Sequence, residues 1–106
     1  MNYFALFRRT DINREIDDFR NTPDAVLLDV RSEEEYLSGH IPQAVNIPLD
    51  KISNIQNVVK NQDTAIFVYC LRGTRSRRAA GILRKLGYKN VKSIGGIASY
   101  KGKLEN

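Results

Sequence analysis

Residues 65–76 read Ala65-Ile66-Phe67-Val68-Tyr69-Cys70-Leu71-Arg72-Gly73-Thr74-Arg75-Ser76. The first five form an apolar run of strand length, which suits a strand buried on both faces. A helical pattern follows from about Ser76 to Leu86, with Ala79, Ile82, Leu83 and Leu86 as its apolar stripe. Gly87 is placed to end that helix in a left-handed cap. Cys70, the only cysteine of the chain, therefore falls in a tight loop between a strand's carboxyl end and a helix N-terminus.

The flanking sequence repeats the strand-then-helix pattern. Upstream, Ala25 to Val30 is a second apolar run, ending at Asp29-Val30-Arg31. Ser32-Glu33-Glu34-Glu35 then predicts a helix opened by a capping box, with Ser32 as cap and Glu35 reaching back to it. Gly39 ends that helix. Val45 to Ile47 predicts a short strand before Pro48, and Asp50 is placed to cap a helix carrying Ile52, Ile55 and Val58 or Val59. Downstream, Val91 to Ile94 predicts a last strand before Gly95-Gly96. At the start, Tyr3 to Phe7 suggests an edge strand, and Ile12, Ile16 and Phe19 recur at helical spacing over 10–20, with Thr10 or Asp11 as cap. Alternating strands and helices imply an α/β fold: a small central parallel β-sheet with helices on both faces. In such sheets ligands bind beyond the carboxyl ends of the strands, where Asp29, Arg31 and Cys70 all lie.

Length and composition narrow the function classes. The chain has 106 residues, 42% of them hydrophobic, which suits one domain spanning 1–106. A lone cysteine cannot form an internal disulfide, and a free thiol fits a reducing compartment, so the expected location is the cytoplasm. The N-terminal apolar stretch has neither a basic region ahead of it nor a cleavage site behind it. No run approaches the roughly 18 apolar residues of a membrane span. The net charge of +5 includes Arg72, Arg75, Arg77, Arg78, Arg84 and Lys85 on the loop and its helix. Such a field steers small anions or an acidic protein partner. Nothing interleaves aromatic with basic residues, so nucleic acid is not an expected partner.

The Cys70 loop has a definite chemistry. A helix N-terminus offers unpaired N–H groups and a positive dipole end. Gly73 lets successive amides turn inward as an anion nest, and Arg72 and Arg75 add positive charge. Each favours thiolate over thiol, and such sites typically have pKa values of about 3.5–7.5. A cysteine that only filled the core would need none of these neighbours. His40, the single histidine, sits in a turn-like segment and reads as a structural hydrogen-bonding group. With no second Cys or His to build a soft-ligand cluster, no metal is expected, nor any cofactor. Glu33 to Glu35 read as helix capping rather than as a catalytic carboxylate pair.

These residues resemble the rhodanese-like sulfurtransferases. The likeness rests on Leu28-Asp29-Val30-Arg31, on Glu35-Tyr36 leading to Gly39 through Pro48, and on Val68 through Ser76. It continues through Ala79-Ala80, Leu83, Gly87-Tyr88, Val91 and Gly95-Gly96. It runs from about 25 to 100, in the family's order. The resemblance implies a rhodanese-like fold and a sulfane sulfur passed from a donor such as thiosulfate to cyanide or a thiol. Cys70 would carry the sulfur as a persulfide. The backbone of Leu71, Arg72, Gly73, Thr74, Arg75 and Ser76 would hold it, Arg72 and Arg75 would attract the anionic donor, and Asp29 and Arg31 would support the loop. Gln43 stands where the family usually has Gly, Tyr100 where it often has Trp, and Leu71 where relatives carry a polar residue.

Two other readings remain beside this one. A relay module would be loaded by a partner enzyme rather than by thiosulfate. A small cysteine phosphatase or arsenate reductase would use a loop one residue longer; here only Leu71 to Thr74 separate Cys70 from Arg75.

Overall fold

The structure, a computed structural model, describes residues 10–106. The strand suggested at Tyr3 to Phe7 lies outside the described residues. Four strands, β1 (Val26–Asp29), β2 (Val45–Asn46), β3 (Ala65–Cys70) and β4 (Asn90–Gly96), form one sheet in the order β2-β1-β3-β4. Every pairing is parallel. The α-helices are α1 (Ile12–Arg20), α2 (Glu33–Ser38), α3 (Ile55–Val58) and α4 (Thr74–Lys85), with 3-10 turns at Leu49–Asn54 and Ile97–Ser99.

Period-2 alternation along the strands divides the core in two. Leu28, Ile66, Val68 and Cys70 face one side, packing with Ile52, Ile55, Ala79 and Leu83 from the 3-10 turn, α3 and α4. Leu27, Phe67 and Tyr69 face the other, against Ile12, Ile16 and Phe19 of α1. Cys70 thus belongs to the face that α4 covers, and its β3 lies between β1 and β4.

The caps explain most of the boundaries. Asp11 caps α1 by accepting the Asn13 N–H at 3.0 Å. Ser32 and Glu35 complete the expected capping box on α2, at 3.2 and 3.0 Å. At the end of α4 the Tyr88 N–H bonds to Leu83 O and the Gly87 N–H to Arg84 O, the paired closure for which a left-handed glycine is suited.

Three details depart from the sequence expectation or decide between its alternatives. First, α4 begins at Thr74 rather than at about Ser76, because the cysteine loop itself closes the first turn. Second, Asp50 caps no helix. The chain enters a 3-10 turn behind Pro48, the Lys51 N–H bonding to Pro48 O at 2.8 Å, and only the single turn of α3 is α-helical. Third, of the two valines offered for its apolar face, Val59 is buried and Val58 is exposed.

Gln43 has φ 77°, the left-handed region that glycine occupies without a steric cost. The departure from the family's glycine therefore falls where the backbone wants glycine. Gln43→Gly is expected to raise stability by about 0.5–1 kcal/mol, read as a higher urea midpoint at unchanged slope.

Candidate active site

The site is built where β3 runs into α4. Gly73, the residue that caps α4, has φ 110° and no side chain to offer. A helix cap normally accepts an N–H from the second or third helical residue through its side-chain oxygen. Here the Cys70 sulfur takes that place. Sγ accepts the N–H of Gly73 at 3.0 Å and that of Ser76, third residue of α4, at 3.4 Å. Gly73 is tightly flanked as well, since a Cβ there would lie 3.1 Å from Arg77 Nη1.

Cys70 is only 1% exposed, yet it lines a cavity of about 180 Å³ with Leu71, Arg72, Thr74 and Arg75. Burial raises the thiol pKa. The Ser76 N–H, the Ser76 hydroxyl and the N–H groups of Gly73 and Arg72 lower it, and the net shift is downward. The thiolate is therefore favoured chiefly by dipoles of the loop, a smaller part falling to the arginine charges than the sequence suggests. Ser76 is fully buried and held in turn: its hydroxyl lies 3.0 Å from Gly73 O and 2.8 Å from Ser93 Oγ on β4.

Arg75 does not hang free over the cavity. It is bidentate to Glu35 of α2, Nη1 to Oε1 at 2.7 Å and Nη2 to Oε2 at 3.0 Å, the fork geometry that guanidinium and carboxylate share. Glu35 thus does two jobs, closing the capping box of α2 and anchoring the cysteine loop to it. The sequence reading caught the first and missed the second, because α2 and the loop lie 40 residues apart. The Arg75 hydrogen bond, opposed by burial, is the largest of the effects that bring the Glu35 pKa down to about 2. A carboxyl held below its unfolded value stabilises the fold above that value, and loses the contribution as pH falls through the folded one. Glu35→Gln is expected to flatten the acid side of the stability profile between about pH 4.5 and about 2; the pair is one-third exposed, so the effect is modest. Thermal melts across that range check it.

Asp29 and Arg31 stand at the neighbouring strand end but do not line the cavity. They are spent on each other. Asp29 is fully buried and Arg31 is 5% exposed. The carboxylate accepts the Arg31 N–H at 2.9 Å and its guanidinium at 2.8 to 3.1 Å, while Nη2 also donates to Gly39 O at 2.7 Å. Their link to the loop runs through the backbone: the Val30 N–H bonds to Tyr69 O, one residue before Cys70. His40 stacks on Tyr36, ring centroids 3.8 Å apart, and its Nδ1 lies 3.0 Å from Tyr36 O. That is a structural role.

Gly96 stands at the end of β4. It pairs with Cys70 across the sheet. A Cβ on it would lie 2.5 Å from Arg72 Cα and closer still to Leu71 O. The Gly95-Gly96 dipeptide is the sequence signal that marks this close approach.

Comparison with known proteins agrees with this architecture. A family description of the rhodanese-like domain matches residues 13–103. The chain is 37% identical over 71 residues to the thiosulfate sulfurtransferase PspE of Escherichia coli, covering 66% of this chain and 68% of that protein. It is 39% identical over 80 residues to the putative sulfur carrier protein YrkF of Bacillus subtilis, covering 74% and 43%. Three other curated relatives are longer proteins, of whose length the chain spans 23%, 28% and 21%. Among solved structures, a rhodanese with anions from E. coli superimposes with a TM-score of 0.72 at 32% identity, over 76% of this chain and 96% of that one.

Proposed function

This chain belongs to the rhodanese-like domain family, and from that premise we propose that it transfers sulfane sulfur through a persulfide on Cys70. The Cys70 thiolate attacks the outer sulfur of thiosulfate. The sulfur–sulfur bond of the donor breaks, sulfite leaves with the electron pair, and the transferred sulfur remains on Sγ as an anionic persulfide. Cyanide or a thiolate then attacks that terminal sulfur, and the bond to Sγ breaks with its electrons returning to Cys70. No net redox equivalent and no cofactor is required.

The observation that carries this reading is a buried sulfur holding two loop N–H groups, at 3.0 and 3.4 Å, in a cavity of about 180 Å³. That volume is below the roughly 300–1,000 Å³ of pockets for drug-sized ligands and suits a species of a few atoms. The remaining N–H groups from Leu71 to Ser76 and the Arg72 guanidinium are the groups we assign to the terminal sulfur and to the donor anion. Arg75 we assign to anchoring. The same pairing argues against a phosphatase, whose arginine must face the phosphate rather than a carboxylate. A working thiol of this kind suits a reducing compartment such as the cytoplasm. Thiosulfate:cyanide turnover tests the proposal: the wild type turns over, and Cys70→Ser falls to background. Equal rates in the two proteins would end the mechanism.

A second reading is favoured by the likeness to a putative sulfur carrier and by the rim of the cavity. Leu71 is 37% exposed, and Arg72, Arg77 and Arg78 around it are exposed. Such a rim suits an acidic protein that hands over or receives the sulfur. Persulfidation of Cys70 by a cysteine desulfurase, with none from thiosulfate, is the outcome that selects this reading.

A further inference from the structure

A cavity other than the one Cys70 lines opens near the site. It measures about 520 Å³ and lies on the other side of the loop backbone, between the glycine pair of β4 and the first turn of α1. Its walls carry the side chains of Arg72 and Arg77, the hydroxyl residues Thr10, Ser93 and Ser99, and Ile12 as the one large apolar residue. We propose that this cavity is a second anion site, which takes a phosphate-bearing small molecule.

Charge supports that assignment. Arg31 is neutralised by Asp29, Arg75 by Glu35, and Lys92 is paired with Glu15. Arg72 and Arg77 have no carboxylate partner among the described residues. Arg72 and Arg77 both line this cavity, whereas Arg78, likewise without a carboxylate partner among the described residues, lines a different one. Arg77 Nη1 lies close to Gly73, 3.1 Å from where a Cβ on that glycine would stand. Guanidinium groups bind phosphate through paired N–H bonds, and serine and threonine hydroxyls complete the shell of the remaining oxygens. Two cations, with the Thr10 and Ser99 hydroxyls as further donors and the Ser93 hydroxyl engaged by Ser76, call for a multiply charged anion, and the volume lies within the small-molecule range of roughly 300–1,000 Å³.

The site is distinct from the sulfur cup, which it meets only at Arg72, and the proposal does not depend on what Cys70 carries. Calorimetric titration of the full chain with inorganic pyrophosphate, at physiological ionic strength, tests it. Saturable binding is expected, weakened at least tenfold in Arg77→Ala and in Ser99→Asp, and unchanged in Cys70→Ser. Thermal melts establish that each variant is folded. No saturable binding to the wild type would overturn the proposal. So would binding that survives both cavity variants, or binding lost in Cys70→Ser, which would put the anion in the sulfur cup.

Discussion

Arg31→Ala is expected to destabilise the fold by about 3–5 kcal/mol, the usual cost of removing one partner from a buried ion pair. The carboxylate left behind is fully buried, and its short hydrogen bonds are all to Arg31. The backbone N–H of the new alanine and the neighbouring Tyr69 hydroxyl are what would remain to it. The Gly39 carbonyl would lose its guanidinium partner as well. The damage should spread, because Asn46 Nδ2 ties β2 to the carbonyls of Asp29 and Arg31 at 3.0 Å each. Urea unfolding checks the size of the loss. A change under 1 kcal/mol would mean that water reaches Asp29 and that the pair is not the staple the geometry describes. Since neither residue lines the cysteine cavity, the variant should lose sulfur-transfer activity in step with its folded fraction, which separates support from catalysis.

Gly96→Ala has the second large expected effect, and it should fall on activity more than on stability. The backbone at Gly96 is ordinary extended chain, φ −131° and ψ 143°, so alanine carries no conformational penalty there. The obstacle is contact alone: the added methyl would overlap Leu71 O and Arg72 Cα, both backbone and unable to swing away. The loop must move, taking with it the Ala98 N–H to Leu71 O bond of 3.1 Å and the N–H groups that converge on Sγ. Overpacking of this kind costs about 1–3 kcal/mol. Sulfur transfer is expected to fall at least tenfold, and thiol alkylation should require a higher pH than in the wild type, since the lowered Cys70 pKa depends on those amides. Alanine at 96 with unchanged kcat/KM and an unchanged alkylation profile would show that the loop tolerates the shift.

The sequence made the sheet legible because β1 and β3 are short apolar runs with turn residues at their ends, each leading into a helix. Ala65 to Cys70 and Val26 to Asp29 sit within a residue or two of their expected limits for that reason. The segment after Pro48 was less legible. Ile52 and Ile55 fit a helical stripe, yet the same spacing also suits a 3-10 turn followed by a single α-turn, and periodicity alone cannot separate the two over so few residues. At the site, Cys70 and its amide cradle followed from local order along the chain. The partners of the arginines did not. Glu35 had an adequate local explanation in the capping box, which concealed its second role. Gly96 could be read as a strand end, and its contact with the loop depends on the register of β3 against β4. Ser93 carried no local signal at all: it reaches Ser76 only because that register sets it beside the first turn of α4.

The central claim is that the Cys70 sulfur, capped by the first amides of α4, carries a transferred sulfur atom. Intact-protein mass spectrometry after exposure to thiosulfate tests it most directly. The wild type should gain the mass of one sulfur atom, lose it on addition of cyanide, and show no gain in Cys70→Ser. A wild-type chain whose mass stays unchanged while the thiosulfate is consumed, or a gain of sulfur that persists in Cys70→Ser, would contradict the account.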